Sequence, residues 1–123
     1  MATTKVVFVA FAIEDERQRD FLKGQTLITA CPFEYVDMSV KEPYNEDWKN
    51  RVHTRIRRSD GVIALISKSS LTSSGEKWEI GCARDEKKKV LGIWAYKDDR
   101  TNLPGTNTVV WTWDAIKNFI DGL

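Results

Sequence analysis

A chain of 123 residues, 41% hydrophobic and 30% charged, carries enough apolar material for one core, which excludes an intrinsically disordered chain. Its 19 Lys and Arg nearly balance 18 Asp and Glu, leaving a formal charge of +1, so no broad cationic field invites nucleic acid or an anionic membrane. Two cysteines (Cys31 and Cys82) and one histidine (His53) are too few for a zinc site or a disulfide-stapled scaffold, which points to a reducing cytoplasm. The opening stretch lacks the order of parts of a signal peptide, and no apolar run is long enough to span a bilayer. The expectation is a single cytoplasmic domain over residues 1–123.

Apolar runs and helix-like segments alternate along the chain. Lys5 to Ile13 is rich in β-branched and aromatic residues and predicts a buried strand. Asp15, with Gln18 three residues on, has the spacing of a capping box for a helix carrying Phe21, Leu22 and Ile28 inward. Gly24 within that helix suggests close packing on a sheet. Cys31-Pro32 ends it, because proline disfavours helical geometry in the residue before it. Phe33 to Met38 alternates and predicts an edge strand, followed by a long polar loop, Ser39 to Asp47. Trp48, Val52 and Ile56 mark a second helix whose outer face (Lys49, Arg51, Arg55, Arg57, Arg58) reads as solvated.

Asp60-Gly61 predicts a turn, and Gly61 to Ser67 the most apolar central strand. Lys68 to Gly75 is a hydroxyl-rich loop. Ser73 and Glu76 have the capping-box spacing for a helix through Lys88. Val90 to Tyr96 predicts a fourth strand, Lys97 to Asn107 a loop and Thr108 to Trp113 a fifth strand. Asp114 then caps a last helix with Ile116, Phe119 and Ile120 inward. This alternation implies a three-layer α/β sandwich, flavodoxin-like, with a five-stranded parallel sheet in the order 2-1-3-4-5. In such sheets the ligand crevice lies beyond the carboxyl ends of strands 1 and 3, where the winding reverses.

No Gly-rich dinucleotide fingerprint, Walker loop or nucleophile elbow is present. His53 reads as an ordinary helix-surface residue, and Asp15 as a helix cap rather than a metal ligand; no metal site is expected. Asp37 has the chemistry of a receiver-type phosphoacceptor, but a receiver offers that aspartate from strand 3, which here ends in Ser67. The segment Lys77 to Ala83 is the most informative. Glu79 and Ala83 are four apart, as are Trp78 and Cys82, so Glu79 stands among apolar and small residues in the early turns of a helix. Spacing alone leaves it open between an ion pair and a functional carboxylate. Trp48 and Trp78 flank the expected crevice and are candidates to stack a base. Ser67, Ser69 and Ser70 are candidates to contact ribose or phosphate.

The runs VFVAFAIEDERQR, FEYVDMSVKEP, RIRRSDGVIALIS, SSGEKWEIGCA and KKVLGIWAY, with Trp48 between the second and third, resemble the TIR-like domain family of Thoeris anti-phage defence, the ThsB type. Their order and spacing hold over roughly the whole chain. The resemblance implies cleavage of the nicotinamide–ribose bond of NAD, with NAD a substrate and no resident cofactor. It places the catalytic glutamate at Glu79 and the strand-1 pocket wall at Phe11 and Ala12. It places Asp37 and Ser39 on the loop that shapes the site. It also implies an ADP-ribose-derived signal, hydrolysed, cyclised or conjugated, together with self-association and a phage-derived trigger. Ala10 and Ala12 stand where the family often has serines. Two other readings remain: a non-catalytic interaction module, and a nucleoside deoxyribosyltransferase-like enzyme, which shares the fold and a glutamate.

Overall fold

The structure, a computed structural model, describes residues 5–28, 33–36 and 46–123. Expectations for Cys31-Pro32, Asp37, Ser39 and the loop after the second strand lie outside the described residues, as do those for the side chains of Gly24, Ile28 and Trp48. Five strands, β1 (Lys5–Ala10), β2 (Phe33–Val36), β3 (Gly61–Ile66), β4 (Lys89–Trp94) and β5 (Thr108–Val109), form one sheet in the order β2-β1-β3-β4-β5. Every neighbouring pair is parallel; β1 meets β3 with Val7 opposite Gly61 and Ala10 opposite Ala64. Four helices connect and follow them: α1 (Glu16–Ile28), α2 (Glu46–Arg58), α3 (Ser74–Asp85) and α4 (Trp113–Asp121).

Strand alternation sorts the apolar side chains onto two faces. Phe8, Ala10, Val62, Ala64 and Ile66 pack with Val52 and Ile56 of α2 and Ile80, Cys82 and Ala83 of α3. Val7, Val9, Phe11, Ile63, Leu65 and Ile93 pack with Leu22 of α1 and Ile116 and Ile120 of α4. All six residues of β3 are buried, as a central parallel strand covered on both faces requires. No helix among the described residues is long and apolar enough to cross a membrane.

Several boundaries differ from the sequence expectation, each for a local reason. β1 stops at Ala10 because Ile13–Asp15 wind into a 3-10 turn, closed by a 2.8 Å bond from Asp15 N to the Ala12 carbonyl. The hydroxyl-rich segment after β3 is also wound, as a 3-10 turn over Lys68–Leu71 capped reciprocally by Ser67 and Ser70. α3 ends at Asp85, and Lys87 then adopts φ 58°. β5 is only two residues long, and Thr112, not Asp114, caps α4 by accepting from Ala115 N at 3.1 Å. Gly92 in β4 admits that crossing, since a Cβ there would lie 2.7 Å from the Thr108 hydroxyl and 3.0 Å from the Asn107 carbonyl. His53 is not an ordinary surface residue: its Nε2 sits 2.5 Å from Glu86 Oε1 and ties α2 to the end of α3.

These contacts set the expected ranking of substitutions in urea denaturation. Ile63→Ala should cost roughly 2–5 kcal/mol through the cavity it leaves in β3. Thr112→Ala should cost about 1 kcal/mol through the lost cap. Exposed Lys117→Ala should stay within about 0.5 kcal/mol of the parent.

Candidate active site

The carboxyl ends of β1, β3 and β4 converge on Asp15. Its side chain is buried, and both oxygens accept hydrogen bonds: Oδ2 from the Ser67 hydroxyl at 2.5 Å, Oδ1 from the Tyr96 hydroxyl at 2.8 Å. The sequence expectation of a helix cap is therefore corrected. Asp15 instead bridges the turns that follow three strands, because the 3-10 winding after β1 directs it across the sheet rather than along α1. Burial and the bond to Asp15 push the Tyr96 phenol up to about 12, so it donates throughout the neutral range. Ser67 also accepts from Ser69 N at 3.1 Å, and Ser70 accepts from Ser67 N at 3.0 Å. The loop after β4 is pinned to the same place, since Asp99 accepts from Lys68 N at 2.8 Å and Trp94 Nε1 donates to the Thr101 carbonyl at 3.0 Å.

A cleft of about 720 Å³ opens over these ends, walled by Asp15, Ser67, Lys68, Ser69, Tyr96 and Arg100, among others. That volume lies within the range of nucleotide-sized sites, roughly 300–1,000 Å³. Lys68 and Arg100 bring positive charge to it, and Glu14, Asp98 and Asp99 negative charge. Ser67 and Ser69 thus reach the cleft, whereas Ser70 is wholly buried beneath it, accepting from Ser67 N and donating weakly to the Leu65 carbonyl at 3.3 Å.

α3 carries two further buried acids, Glu76 and Glu79, neither of which lines this cleft. Ser73 caps the helix by accepting from Glu76 N at 3.1 Å, but Glu76 does not return the bond. The expected capping box is therefore only half formed. The Glu76 carboxyl turns inward instead: it is fully buried, and neither oxygen has a hydrogen-bond partner. Burial pushes it up from an ordinary 4.5 to about 8, and the nearby charges of Asp15 and Glu14 add to this. The Ser70 hydroxyl lowers it only in part, its proton being directed at Leu65. One turn on, Glu79 is 5% exposed; burial, then the charge of Glu76, hold its carboxyl well above the usual range. No hydrogen bond or ion pair reaches Glu79 from the described residues.

The structure separates other candidates. Phe11 packs on the α1/α4 face, with the Arg19 guanidinium 5.0 Å from its ring centre, whereas Glu79 belongs to α3 on the opposite face. The reason is strand alternation: Phe11 shares parity with Val7 and Val9, not with Phe8 and Ala10. Ala12 is fully buried two residues beyond the end of β1. Trp78 is half-buried and packs against the α2/α3 core rather than standing clear of it. Sequence reasoning missed Glu76 and Tyr96. Glu76 is disguised by its position three residues after a capping serine, and Tyr96 by its place at the end of an apolar run.

The buried Glu76 makes stability depend on pH. Below about 4.5 both folded and unfolded states hold its proton, so it costs nothing. Between 4.5 and 8 only the unfolded state releases the proton, so stability falls as pH rises, by at most about 1.4 kcal/mol per unit, and levels off above 8. Glu76→Gln should flatten this slope: its melting temperature should exceed the parent's at pH 8 and match it near pH 4.5 in differential scanning calorimetry.

The family model described as Thoeris protein ThsB, TIR-like domain, matches residues 8–100. No curated protein matches the sequence. Among solved structures, the CMP N-glycosidase BcmB of Clostridium botulinum is similar with a TM-score of 0.56 and 20% identity, over 96% of each chain, which shows a shared fold. The family match covers well over half of the chain and takes in Asp15, Ser67, Glu76, Glu79 and Tyr96. The chain belongs to the Thoeris ThsB family of TIR-like domains.

Proposed function

We propose that this domain cleaves the N-glycosidic bond between nicotinamide and ribose in NAD, with Glu79 as the catalytic residue. The carrying observation is Glu79 itself: an acidic side chain held 5% exposed on α3, with no bond from any described residue to occupy it. A carboxyl kept out of water and out of salt bridges is costly to a fold, and such groups concentrate at functional sites. Family membership and a fold shared with a glycosidase that acts on the base–ribose bond of CMP support the same bond class.

One carboxylate suffices for this substrate. Glycosidases with poor leaving groups need a second acid to protonate the departing oxygen. Nicotinamide leaves a cationic pyridinium as a neutral molecule and needs no proton. Glu79 would hold the ribose hydroxyls and stabilise the positive charge that develops at C1. The cleft beside Asp15 supplies Ser69, Lys68 and Arg100 for the ribose and phosphates. The group that then attacks C1 decides between hydrolysis, cyclisation and conjugation into an ADP-ribose-derived defence signal. Self-association and a phage-derived trigger belong to this reading.

A second reading is an N-glycosidase of neutral-base nucleotides, favoured by the solved neighbour's action on CMP and by a Glu79 carboxyl that retains its proton and can protonate a leaving base. Nicotinamide release from NAD, followed by mass spectrometry with and without phage-infected lysate, tests the first. Glu79→Gln should lower turnover by at least about 100-fold while leaving the melting temperature unchanged or raised. Unaltered turnover in that variant would remove the assignment, and release of cytosine from CMP in place of nicotinamide would favour the second reading.

A further inference from the structure

We propose that a second cleft, between α1 and the ends of β4 and β5, binds a nucleotide whose base carries an exocyclic amine, and that Arg100 takes its phosphate. The site stands apart from the NAD-cleaving reading above, since it needs no chemistry at Glu79. The cleft measures about 510 Å³ and is walled by Gln18 and Phe21 of α1, Tyr96 and Lys97 after β4, Arg100, and Trp111 after β5, among others. That volume suits a small planar ligand with its polar substituents. The cleft adjoins the one over Asp15, and Tyr96, Asp98 and Arg100 line both.

Three features fix the class of ligand. The first is an aromatic wall open to solvent. Phe21 is 63% exposed, Val110 50% and Tyr96 38%, and Trp111 meets Phe21 edge to face with ring centres 6.4 Å apart. Apolar side chains exposed together in one concavity mark a binding surface, whereas scattered ones do not, and rings of this kind hold flat π-systems. The second feature is Gln18. Its Nε2 donates to the Ala95 carbonyl at 2.9 Å, and because a carbonyl only accepts, the amide cannot be turned the other way. Oε1 is thereby left as an acceptor on a residue that lines the cleft, the complement of an amine on a base and not of a keto oxygen. The third feature is charge. The Arg100 guanidinium lies 4.7 Å from the centre of the Trp94 ring. Stacking uses the face of a guanidinium and leaves its N–H edge for an anion. With exposed Lys97 beside it, the described lining holds two cations against one acid, Asp98. An aliphatic ligand would cover the apolar wall and leave Gln18 and Arg100 unused, whereas an amino-base nucleotide engages all three.

Titration with AMP, followed by calorimetry and by the ¹⁵N-indole NMR signals of Trp94 and Trp111 (assigned by their loss in Trp94→Phe and Trp111→Phe), tests the site. AMP and CMP should bind and shift the Trp111 indole. IMP and UMP, which carry a keto oxygen in place of the amine, should bind roughly tenfold more weakly. Phe21→Ser, at an exposed position that spares the core, should weaken AMP by at least about fivefold. Gln18→Met should bring AMP and IMP to equal affinity, and Arg100→Gln should weaken AMP but not adenosine. Phe21 and Gln18 lie outside the Asp15 cleft, so an AMP affinity unchanged in both variants puts the nucleotide elsewhere and overturns the proposal. The absence of any preference in either pair of nucleotides, or of an indole shift with millimolar AMP, overturns it too. AMP binding at these residues without NAD cleavage leaves the site standing and removes the NAD-cleaving reading; NAD cleavage with no AMP response at them does the reverse.

Discussion

The bridge made by Asp15 is the constraint on which the site depends. A parallel sheet leaves the ends of its strands to diverge into separate loops, and only side-chain bonds can gather them. Asp15 gathers three: its own turn after β1, the turn after β3 through Ser67, and the end of β4 through Tyr96. A buried carboxylate that accepts hydrogen bonds from two hydroxyls rigidifies what it joins. The cleft over these ends therefore has fixed walls, and Lys68 and Arg100 are held at its rim by the neighbouring bonds to Asp99 and the stacking of Arg100 on Trp94 at 4.7 Å.

A second constraint opposes the first in kind. Asp15 is satisfied, whereas Glu76 and Glu79 are buried with no described partner. Removing such groups would make the fold more stable, so their presence marks a place where stability has been given up. The cost is bearable because the rest of α3 is conventional: a serine cap at its start, Ile80, Cys82 and Ala83 in the core, and the Glu86–His53 link to α2 at its end. The helix is held from both ends and can keep two uncompensated acids in its first turns.

The family match over residues 8–100 takes in the helix after the third strand, and the likeness to a CMP N-glycosidase shows a shared fold. A base–ribose bond can be broken in two electrostatic regimes, with a leaving group already cationic or with one that must first be protonated. In the proposed reading a buried carboxyl on α3 would serve the first when ionised and the second when neutral, so its protonation state, more than the fold, would separate the two substrate classes.

Periodicity and composition were sufficient for the α/β alternation, the buried run of β3 and the apolar faces of α2 and α4; the choice of Glu79 came from the family resemblance, since spacing alone left its role open. The alternation and the apolar faces follow from local pattern, since burial on one face or both is written into every second or every third to fourth residue. The 3-10 turns after β1 and β3, the bridging role of Asp15 and the inward turn of Glu76 depend on partners 52 to 81 residues away or on a choice between two hydrogen-bonding fates of one side chain. Asp15 and Glu76 both have the spacing of helix caps, and local chemistry favours that reading; only the packing of three strand ends against α3 turned one into a bridge and buried the other. Phe11 shows the converse, a residue near the site in sequence that strand alternation sends to the far side of the sheet.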